Sequence, residues 1–579
     1  MPEWAMAHAR PRRDKEFLAR SIDQALGREP ADLVLKKTKF LNVVTGEIAE
    51  SDIAVTGDEI VGTYAGYRGK REIDGRGLIC VPGFVDTHVH VESTLVTPFE
   101  FDRCVLPRGT TTAICDPHEV TNVLGTRGLD YVLTSAERVA MDLRVQLPSC
   151  VPATPLETSG ARLEAADLLP YRGHPKGIGL AEFMNIPGVL NKDAAALEKL
   201  AAFSDGHIDG HAPMVSGMEL NAYLACGIRN CHETTTLDAA WEKLRKGMQL
   251  LIREGTVCKD AATLAPALTV DTSSFCGLCT DDRNPLDIEE EGHLDHVIRL
   301  AIAHGAPVAH VYRAASWSAA RGFGLDDRGL IAPGQRADNV LLEDLAECRV
   351  HSVIAAGRPV GDELFAGRRA PPPVGLDSMK LGEVTAADFA VPAPGPTGPV
   401  IGVRAGTVVT DHLTMALPYR DGRREADPAS DLLKVCVVAR HGKNRNIGRG
   451  FVKGFGLKDA ALASSIGHDS HNVCVVGADD ADMAAAVNRL ARIGGGFVAV
   501  RGGRVLGELP LPLAGLMSLD PFETVAGRLR ALRALVRGLG CALPEPFLQL
   551  AFLPLPVIPH LKITDFGLVD VDKFQLIAA

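Results

Sequence analysis

The stretch that decides the fold is residues 81–95, VPGFVDTHVHVESTL. It places His88 and His90 two positions apart at the end of a short apolar run. Side chains two apart in a β-strand face the same side of the sheet, so both imidazoles are predicted to point one way. On the first strand of a parallel barrel they would lie near its C-terminal mouth, where barrel active sites are found. Alone, the pair also fits a polar strand that faces water.

Strand-like runs recur after this stretch and alternate with helix-like segments. The runs are residues 83–90, 110–117, 144–150, 177–183, 207–213, 227–233, 248–255 and 274–282. Eight such alternations over about 250 residues predict a TIM-like (β/α)8 barrel and hence an α/β fold.

The segments outside the barrel have their own patterns. Short alternating runs on both sides of it predict a small β-sandwich built from the two flanking segments. A Pro/Gly-rich piece further on is typical of a linker. The predicted units are an N-terminal helical extension (1–30), the sandwich (31–81 plus 336–375), the barrel (82–335), the linker (376–399) and a C-terminal domain of mixed α and β structure (400–579).

Composition limits the classes of function. The net charge of −11 argues against a broad surface for nucleic acid or anionic membranes. The first thirty residues hold no apolar signal-peptide core, and no run of about 18 apolar residues suggests a membrane helix. Thirteen cysteines in 579 residues do not form a dense disulfide framework. We therefore expect a cytoplasmic protein with reduced thiols that binds neither nucleic acid nor membrane.

Later strand-like runs also end in residues of metal-ligand type. These residues are Glu182, His211, His232 and Asp281. Together with His88 and His90 they supply the imidazoles and carboxylates that a two-metal hydrolytic site needs. Such donors suit Zn²⁺, Fe²⁺ or Mn²⁺, and two metals can share a bridging carboxylate. The set therefore predicts metal ligands far more strongly than the histidine pair alone.

Several motifs resemble those of one known family. They are PGFVDTHVHVEST (82–94), DPHEVTNVLG (116–125), DGHAP (209–213), FCGLCTDDRNP (275–285), GHLDHVIRLAI (292–302), IAPGQRADNVLLEDL (331–345), ARHGKNRNIGRGFVKGFGL (439–457) and GHDSHN (467–472). The first and the barrel motifs resemble the amidohydrolase superfamily, and DPHEVTNVLG with GHDSHN resembles the bacterial-type adenine deaminases more narrowly. The resemblance covers nearly the whole chain after the first thirty residues.

The resemblance implies a binuclear centre with assigned ligands. His88 and His90 would bind one metal, and His211 and His232 the second. Glu182 would bridge the two. The resemblance also implies two divalent ions, with Mn²⁺ or Fe²⁺ favoured and Zn²⁺ as the alternative, and a homo-oligomer of two or more subunits.

The implied reaction is hydrolysis of adenine to hypoxanthine and ammonia, a carbon–nitrogen hydrolysis of a cyclic amidine in purine salvage. A metal lowers the pKa of bound water to ~7 and supplies the attacking hydroxide. Asp281 would contact a metal, accept the water proton and deliver it to the departing amine. We choose Asp281 over its neighbour Asp282 because Asp281 follows the strand directly.

A second acid is needed because a ring nitrogen gains a proton as the attacked carbon becomes tetrahedral. The candidates are Asp116, Glu119 and Glu233, each of which could instead cap a helix or fix a loop. The side chains expected to contact substrate or orient catalytic groups are His118, Arg283, His468 and Asp469.

Two other functions are also compatible with the sequence. One is another amidohydrolase activity, either deamination of a related heterocycle or hydrolysis of a cyclic amide. A carboxylated lysine often bridges the metals in the cyclic-amide enzymes, and Glu182 at that position favours deamination. The other is a non-catalytic barrel that serves in binding, against which the complete ligand set argues.

Overall fold

A computed structural model describes residues 13–579. The first helix, α1 (Lys15–Ala25), begins after the N-cap residue Asp14, whose side chain accepts a hydrogen bond from the Phe17 N–H. Its buried Gln24 contacts the Thr56 hydroxyl on the body of the protein. Within the predicted N-terminal extension, residues 1–12 lie outside the described residues.

Five strands come before the barrel and eight parallel strands form it. The first five are β1 (Ala31–Leu41), β2 (Ile48–Thr56), β3 (Glu59–Ala65), β4 (Gly69–Asp74) and β5 (Ile79–Pro82). The barrel strands are β6 (Phe84–Val89), β7 (Thr110–Cys115), β8 (Asp142–Leu147), β9 (Gly177–Phe183), β10 (Ile208–Gly210), β11 (Asn230–Cys231), β12 (Gln249–Arg253) and β13 (Cys276–Cys279).

The barrel strands pair in chain order. One parallel sheet runs from β6 to β10 and a second from β11 to β13. Between them, Arg229 N–H donates to the Ile208 carbonyl at 3.2 Å. The ring closes where Asp281 N–H donates to the His88 carbonyl at 3.0 Å, beside a parallel bridge between Val89 and Asp281. The predicted α/β barrel is therefore confirmed.

Helices surround this ring and connect its strands. The α-helices are α2 (Pro98–Val105), α3 (His118–Leu124), α4 (Thr126–Ala136), α5 (Ala165–Leu168), α6 (Ile186–Leu190), α7 (Ala194–Ala202), α8 (Gly217–Ala225), α9 (Leu237–Arg245), α10 (Ala261–Leu264), α11 (Pro285–Glu290), α12 (Leu294–Ala303), α13 (Val308–Arg313) and α14 (Ala319–Gly322). No helix in the described part of the chain is both long and apolar enough to cross a lipid bilayer.

The chain then returns to the sheet that precedes the barrel. Three strands follow the barrel, β14 (Asn339–Asp344), β15 (Arg349–Ala355) and β16 (Arg358–Pro359), and then the short helix α15 (Asp362–Phe365). Because β14 pairs antiparallel with β5, both flanking segments join one eight-stranded sheet.

The last part of the chain is a second mixed unit. Its strands are β17 (Val391–Pro392), β18 (Thr397–Gly402), β19 (Asp411–Ala416), β20 (Tyr419–Arg420), β21 (Arg423–Arg424), β22 (Leu432–Val438), β23 (Ile447–Lys453), β24 (Ala461–Ser464), β25 (Val473–Gly477), β26 (Gly496–Arg501), β27 (Arg504–Pro510), β28 (Leu561–Thr564), β29 (Gly567–Asp570) and β30 (Gln575–Ile577). Its helices are α16 (Asp480–Ile493), α17 (Phe522–Gly538) and α18 (Pro546–Ala551).

Residues 376–399 differ from the linker that their composition predicts. Val384 N–H donates to Asn488 Oδ1 at 3.0 Å, and Asn488 Nδ2 donates back to the Val384 carbonyl at 2.8 Å. Val384 and Phe389 are buried against α16. The burial of these two apolar side chains in a core with α16 fixes the segment in place. Its proline and glycine content gives no indication of this packing.

Candidate active site

His88 and His90, the two histidines of the stretch 81–95, lie side by side at the barrel mouth. The Nε2 atoms of His88 and His90 are 3.1 Å apart. His90 Nδ1 lies 3.0 Å from the Asp116 carbonyl oxygen, which can only accept a hydrogen bond. The ring proton of His90 therefore sits on Nδ1, and its Nε2 offers a lone pair to the site. This is the tautomer that a metal ligand requires.

Glu182, near the end of β9, lies between two pairs of histidines. Its Oε1 is 3.6 Å from His88 Nε2 and 3.4 Å from His90 Nε2. Its Oε2 is 2.7 Å from His211 Nδ1 and 3.3 Å from His232 Nε2. Each carboxylate oxygen thus faces one pair of imidazoles, and these donors fit two neighbouring cations that share one carboxylate.

Asp281 lies at the end of β13, where the barrel closes. Its backbone is in the left-handed region, with φ of 52°, which is uncommon for a residue other than glycine. Its Oδ1 is 3.2 Å from His90 Nε2 and 3.7 Å from His88 Nε2. Burial acts to raise the pKa of this carboxyl, but its contact with His90 and the charge of Arg253 hold it well below its usual range.

The residues after β7 lie on the other side of the same cluster. Asp116 Oδ2 is 2.9 Å from His118 Nδ1, and that nitrogen is 3.6 Å from Glu182 Oε1. Glu119 Oε1 is 3.3 Å from His468 Nδ1. The first two residues therefore approach the ligand cluster, whereas Glu119 lies beside the C-terminal domain.

Glu119 has an unusual electrostatic environment. Burial, together with the negative charges of Asp282 and Glu92, raises the pKa of Glu119 to about 8 against the opposing charge of His468. The pKa of His468 is raised too, because the charge of Glu119 outweighs the effect of burial. The pair therefore retains a proton at neutral pH.

The C-terminal domain covers the barrel mouth. Asn472 Nδ2 donates to the Thr158 carbonyl at 2.8 Å, and Asp565 accepts from the Thr158 N–H at 2.8 Å. The Phe552 ring stacks on His468 with centroids 4.4 Å apart. The two hydrogen bonds to Thr158 fasten the domain to a barrel loop, and the stacked pair, which lies within the domain, lines the cavity at the ligand cluster.

A cavity lies between the ligand cluster and this cover. Its lining includes nine of the predicted site residues together with several apolar side chains. The lining residues are His90, His118, Glu182, Met184, His211, His232, Glu233, Arg253, Cys258, Asp281, Asp282, Val408, His468, Asp469, Phe552, Leu555 and Ile558. A flat, partly apolar ring with polar edges suits such a chamber.

The chain is similar to two protein families and to several individual proteins. The amidohydrolase family matches residues 79–360, and the adenine deaminase C-terminal domain matches residues 407–575. The chain is 62% identical over 564 residues to the adenine deaminase of Gluconobacter oxydans (strain 621H), covering 97% of this chain and 100% of that protein.

The chain belongs to the adenine deaminase family. A second relative, adenine deaminase 1 of Rhizobium meliloti (strain 1021), is 60% identical over 562 residues, covering 97% of this chain and 100% of that protein. Among solved structures, an adenosine deaminase from Xanthomonas campestris with bound zinc matches with a TM-score of 0.44 and 16% identity, covering 57% of this chain and 93% of that one. The family resemblance drawn from the motifs is therefore confirmed.

In this member of the adenine deaminase family, the structure places Arg283 away from the cavity. Its guanidinium donates to the Gly292 carbonyl at 2.9 Å and to Glu291 Oε2 at 2.7 Å. The chain turns directly after the strand end, where Asn284 caps α11, and the turn carries Arg283 behind the site. This corrects the expectation that Arg283 contacts substrate or orients Asp281.

Sequence reasoning missed Arg253, the last residue of β12. Its Nη1 donates to Asp281 Oδ2 at 2.8 Å and also bonds Glu233. The available signal was a charged residue at the end of the apolar run MQLLIREG, at the same end of the barrel as the other site residues. Burial acts to raise the pKa of Glu233, but the charge of Arg253 lowers it, so Glu233 is an ionised carboxylate and a poor proton donor.

Proposed function

We propose that this chain catalyses the metal-dependent hydrolytic deamination of adenine to hypoxanthine and ammonia. The observation that carries the proposal is the convergence of six imidazole and carboxylate side chains at one cavity covered by the C-terminal domain. They stand in a chain that aligns over 97% of its length with a protein named adenine deaminase. The reaction replaces the exocyclic amine of the ring by a water oxygen.

The donor set supports two divalent cations. In this proposal His88, His90 and Asp281 would hold one ion, His211 and His232 would hold the other, and Glu182 would contact both. Imidazole with carboxylate suits Mn²⁺ or Fe²⁺, with Zn²⁺ as the alternative. When bound, the ions lower the pKa of a water molecule to ~7 and so supply a nucleophile at neutral pH.

Asp281 is the proposed proton carrier for the water and the amine. Its low pKa keeps it ionised and able to accept a proton, and its Oδ1 faces the histidine pair at 3.2 Å from His90. It takes the proton of the attacking water and passes it to the amine nitrogen, which then leaves as ammonia. The carbon–nitrogen bond breaks as the ring carbon retains the oxygen, and the remaining hydroxyl proton is lost to restore the acid that protonated the ring nitrogen.

The ring nitrogen receives its proton from the Glu119–His468 pair in this proposal. Glu119 keeps its proton until about pH 8, and His468 lines the cavity. Asp116 instead orients His118 through their 2.9 Å contact. Asp469 Oδ1, 3.7 Å from His118 Nε2, closes the substrate side of the chamber.

We expect Glu119→Gln to lower kcat by about 100-fold, the ordinary contribution of a general acid. In the wild type, kcat should fall as pH rises through about 8, because Glu119 then loses the proton that the raised pKa had retained. Glutamine cannot titrate, so the variant should lack this alkaline decline. The check is kcat from pH 6 to 10; an unchanged decline in Glu119→Gln would assign the proton to another group.

The substrate is tested by ammonia release from a panel of purines and cyclic amides. We expect adenine to be hydrolysed fastest by enzyme loaded with Mn²⁺ or Fe²⁺, and more slowly with Zn²⁺. Faster turnover of another heterocycle or of a cyclic amide would replace the substrate but keep the hydrolytic site. No turnover of any compound with any of the three metals would favour a binding protein.

The remaining proposals concern the state of the protein in the cell. We propose a cytoplasmic homo-oligomer of two or more subunits that binds a small purine. Sedimentation of the metal-loaded protein tests the subunit number, and a single monomer mass across the concentrations used for activity would contradict it. Cell fractionation tests the location.

A further inference from the structure

Arg253 occupies a central position among the strands that carry the second half of the site. It ends β12, the middle strand of the sheet β11–β12–β13. Glu233 follows β11 and Asp281 follows β13, so the guanidinium lies between the two carboxylates. Arg253 is 2% exposed. Its charge is therefore balanced by its neighbours rather than by solvent.

Every N–H of this guanidinium already has an acceptor. Nη1 donates to Asp281 Oδ2 at 2.8 Å and to Glu233 Oε1, and Nη2 donates to Glu233 Oε2 at 3.1 Å. Asp260 Oδ2 accepts from Nε at 3.1 Å and from Nη2 at 3.0 Å. An arginine has five such N–H groups. Arg253 thus has no donor left for a substrate, although it lines the cavity.

The bonds to Arg253 decide which oxygen of Asp281 faces the reaction. Oδ2 is engaged by Arg253 at 2.8 Å, and Oδ1 is left 3.2 Å from His90 Nε2. The same fork holds Glu233 with its Oε1 3.8 Å from His232 Nε2. One planar group therefore fixes two carboxylates beside the ligand cluster.

Asp260 in turn holds Arg253 in place. Its carboxylate accepts two of the five N–H groups, and its backbone N–H donates to the Arg253 carbonyl at 3.1 Å. This contact closes the turn after β12, so the guanidinium cannot swing towards the cavity without breaking several charged hydrogen bonds.

We propose that Arg253, anchored by Asp260, is a positioning residue that fixes the orientation of Asp281 and Glu233 at the metal centre. The inference deepens the proposed function and rests on it for the role of Asp281. A lysine would preserve the charge but not the planar fork, because its ammonium acts as a point charge. Arg253→Lys therefore separates orientation from charge balance.

The experiment compares Arg253→Lys with Arg328→Lys. Arg328 is also buried, and it also bonds carboxylates, donating to Asp327 Oδ1 at 2.8 Å. It contacts Asp142, which begins β8, and so lies at the opposite end of the barrel from the site. Both variants lose a buried arginine fork, but only one loses it at the metal centre.

We expect Arg253→Lys to lower kcat by about 10- to 100-fold with little change in KM, and to speed metal loss to a chelator by a similar factor, as changes in groups that orient metal ligands do. Asp260→Asn should show a weaker form of the same changes. Arg328→Lys should lower the melting temperature while kcat and the chelation rate stay near wild type.

Equal kcat and equal chelation rates in Arg253→Lys and wild type would overturn the inference. If Arg253→Lys does not fold, Arg253→Gly with guanidinium ion at a sub-denaturing concentration replaces it; recovery of kcat supports positioning, and its absence in a folded variant contradicts it. If the wild type deaminates no purine, the proposed function fails, and the chelation rate still decides whether Arg253 positions the centre.

Discussion

Glu182→Gln is expected to abolish deamination and to release metal. The two oxygens of Glu182 face two separate histidine pairs, at 3.4 Å from His90 and 2.7 Å from His211. Glutamine has the same shape but carries no charge, and one of its two terminal atoms is an N–H donor that would oppose a cation. We expect a loss of turnover well beyond the ~100-fold that accompanies loss of an outer partner of a metal ligand.

Metal content and kcat measured on the same preparation check this result. Glu254→Gln is the matched control, because Glu254 is buried at the same end of the barrel, its carboxylate accepts a hydrogen bond from the Ala261 N–H at 3.1 Å, and it is not among the residues that line the cavity. Glu182→Gln with two bound metals and normal turnover would show that Glu182 does not join the ions.

Asp281→Asn is expected to lower kcat by about 10³- to 10⁴-fold while much of the metal is retained. Asp281 carries protons in the proposed mechanism, and general acid–base groups contribute about 10²- to 10⁴-fold. The four histidines and Glu182 remain to hold the ions, so the defect should fall on the chemical step. An amide cannot accept the proton of the attacking water.

The measurement is kcat and metal content over a pH series. In the wild type the ionised form of Asp281 persists as pH falls, because its pKa lies well below the usual value, and activity should be lost only at low pH. Asp282→Asn is the informative neighbour, and a smaller loss is expected because the Asp282 carboxylate accepts a hydrogen bond from the Ser93 hydroxyl, whereas Asp281 Oδ1 faces His90. A larger loss in Asp282→Asn would exchange the roles of the two acids.

Much of the fold follows from the sequence because its signals are local. Apolar runs spaced by helical segments locate each barrel strand within a few residues, from Phe84 to Cys279. Alternation then predicts that His88 and His90 face one side, and parallel pairing brings distant strand ends together. The structure brings together the six side chains predicted as ligands for these reasons.

Other features depend on residues that are close in space but distant in the sequence. Local sequence patterns do not show such contacts. Arg253 ends an apolar run, and its importance lies in the acids that follow the strands on each side. Arg283 shares a motif with Asp281, yet the turn capped by Asn284 directs it elsewhere. The raised pKa of Glu119 arises from burial beneath a domain that begins almost 300 residues later in the chain.

The position of the C-terminal domain over the barrel mouth also sets the order in which the site can be completed. All six side chains proposed to hold the ions precede residue 282, whereas Val408, His468 and Phe552 come from the far end of the chain. Synthesis runs from the N-terminus, and domains fold as units as they emerge. A growing polypeptide therefore completes the barrel and its six predicted ligands before the domain that covers the barrel mouth has been made. The C-terminal domain completes the cavity lining around ligands that are already in place.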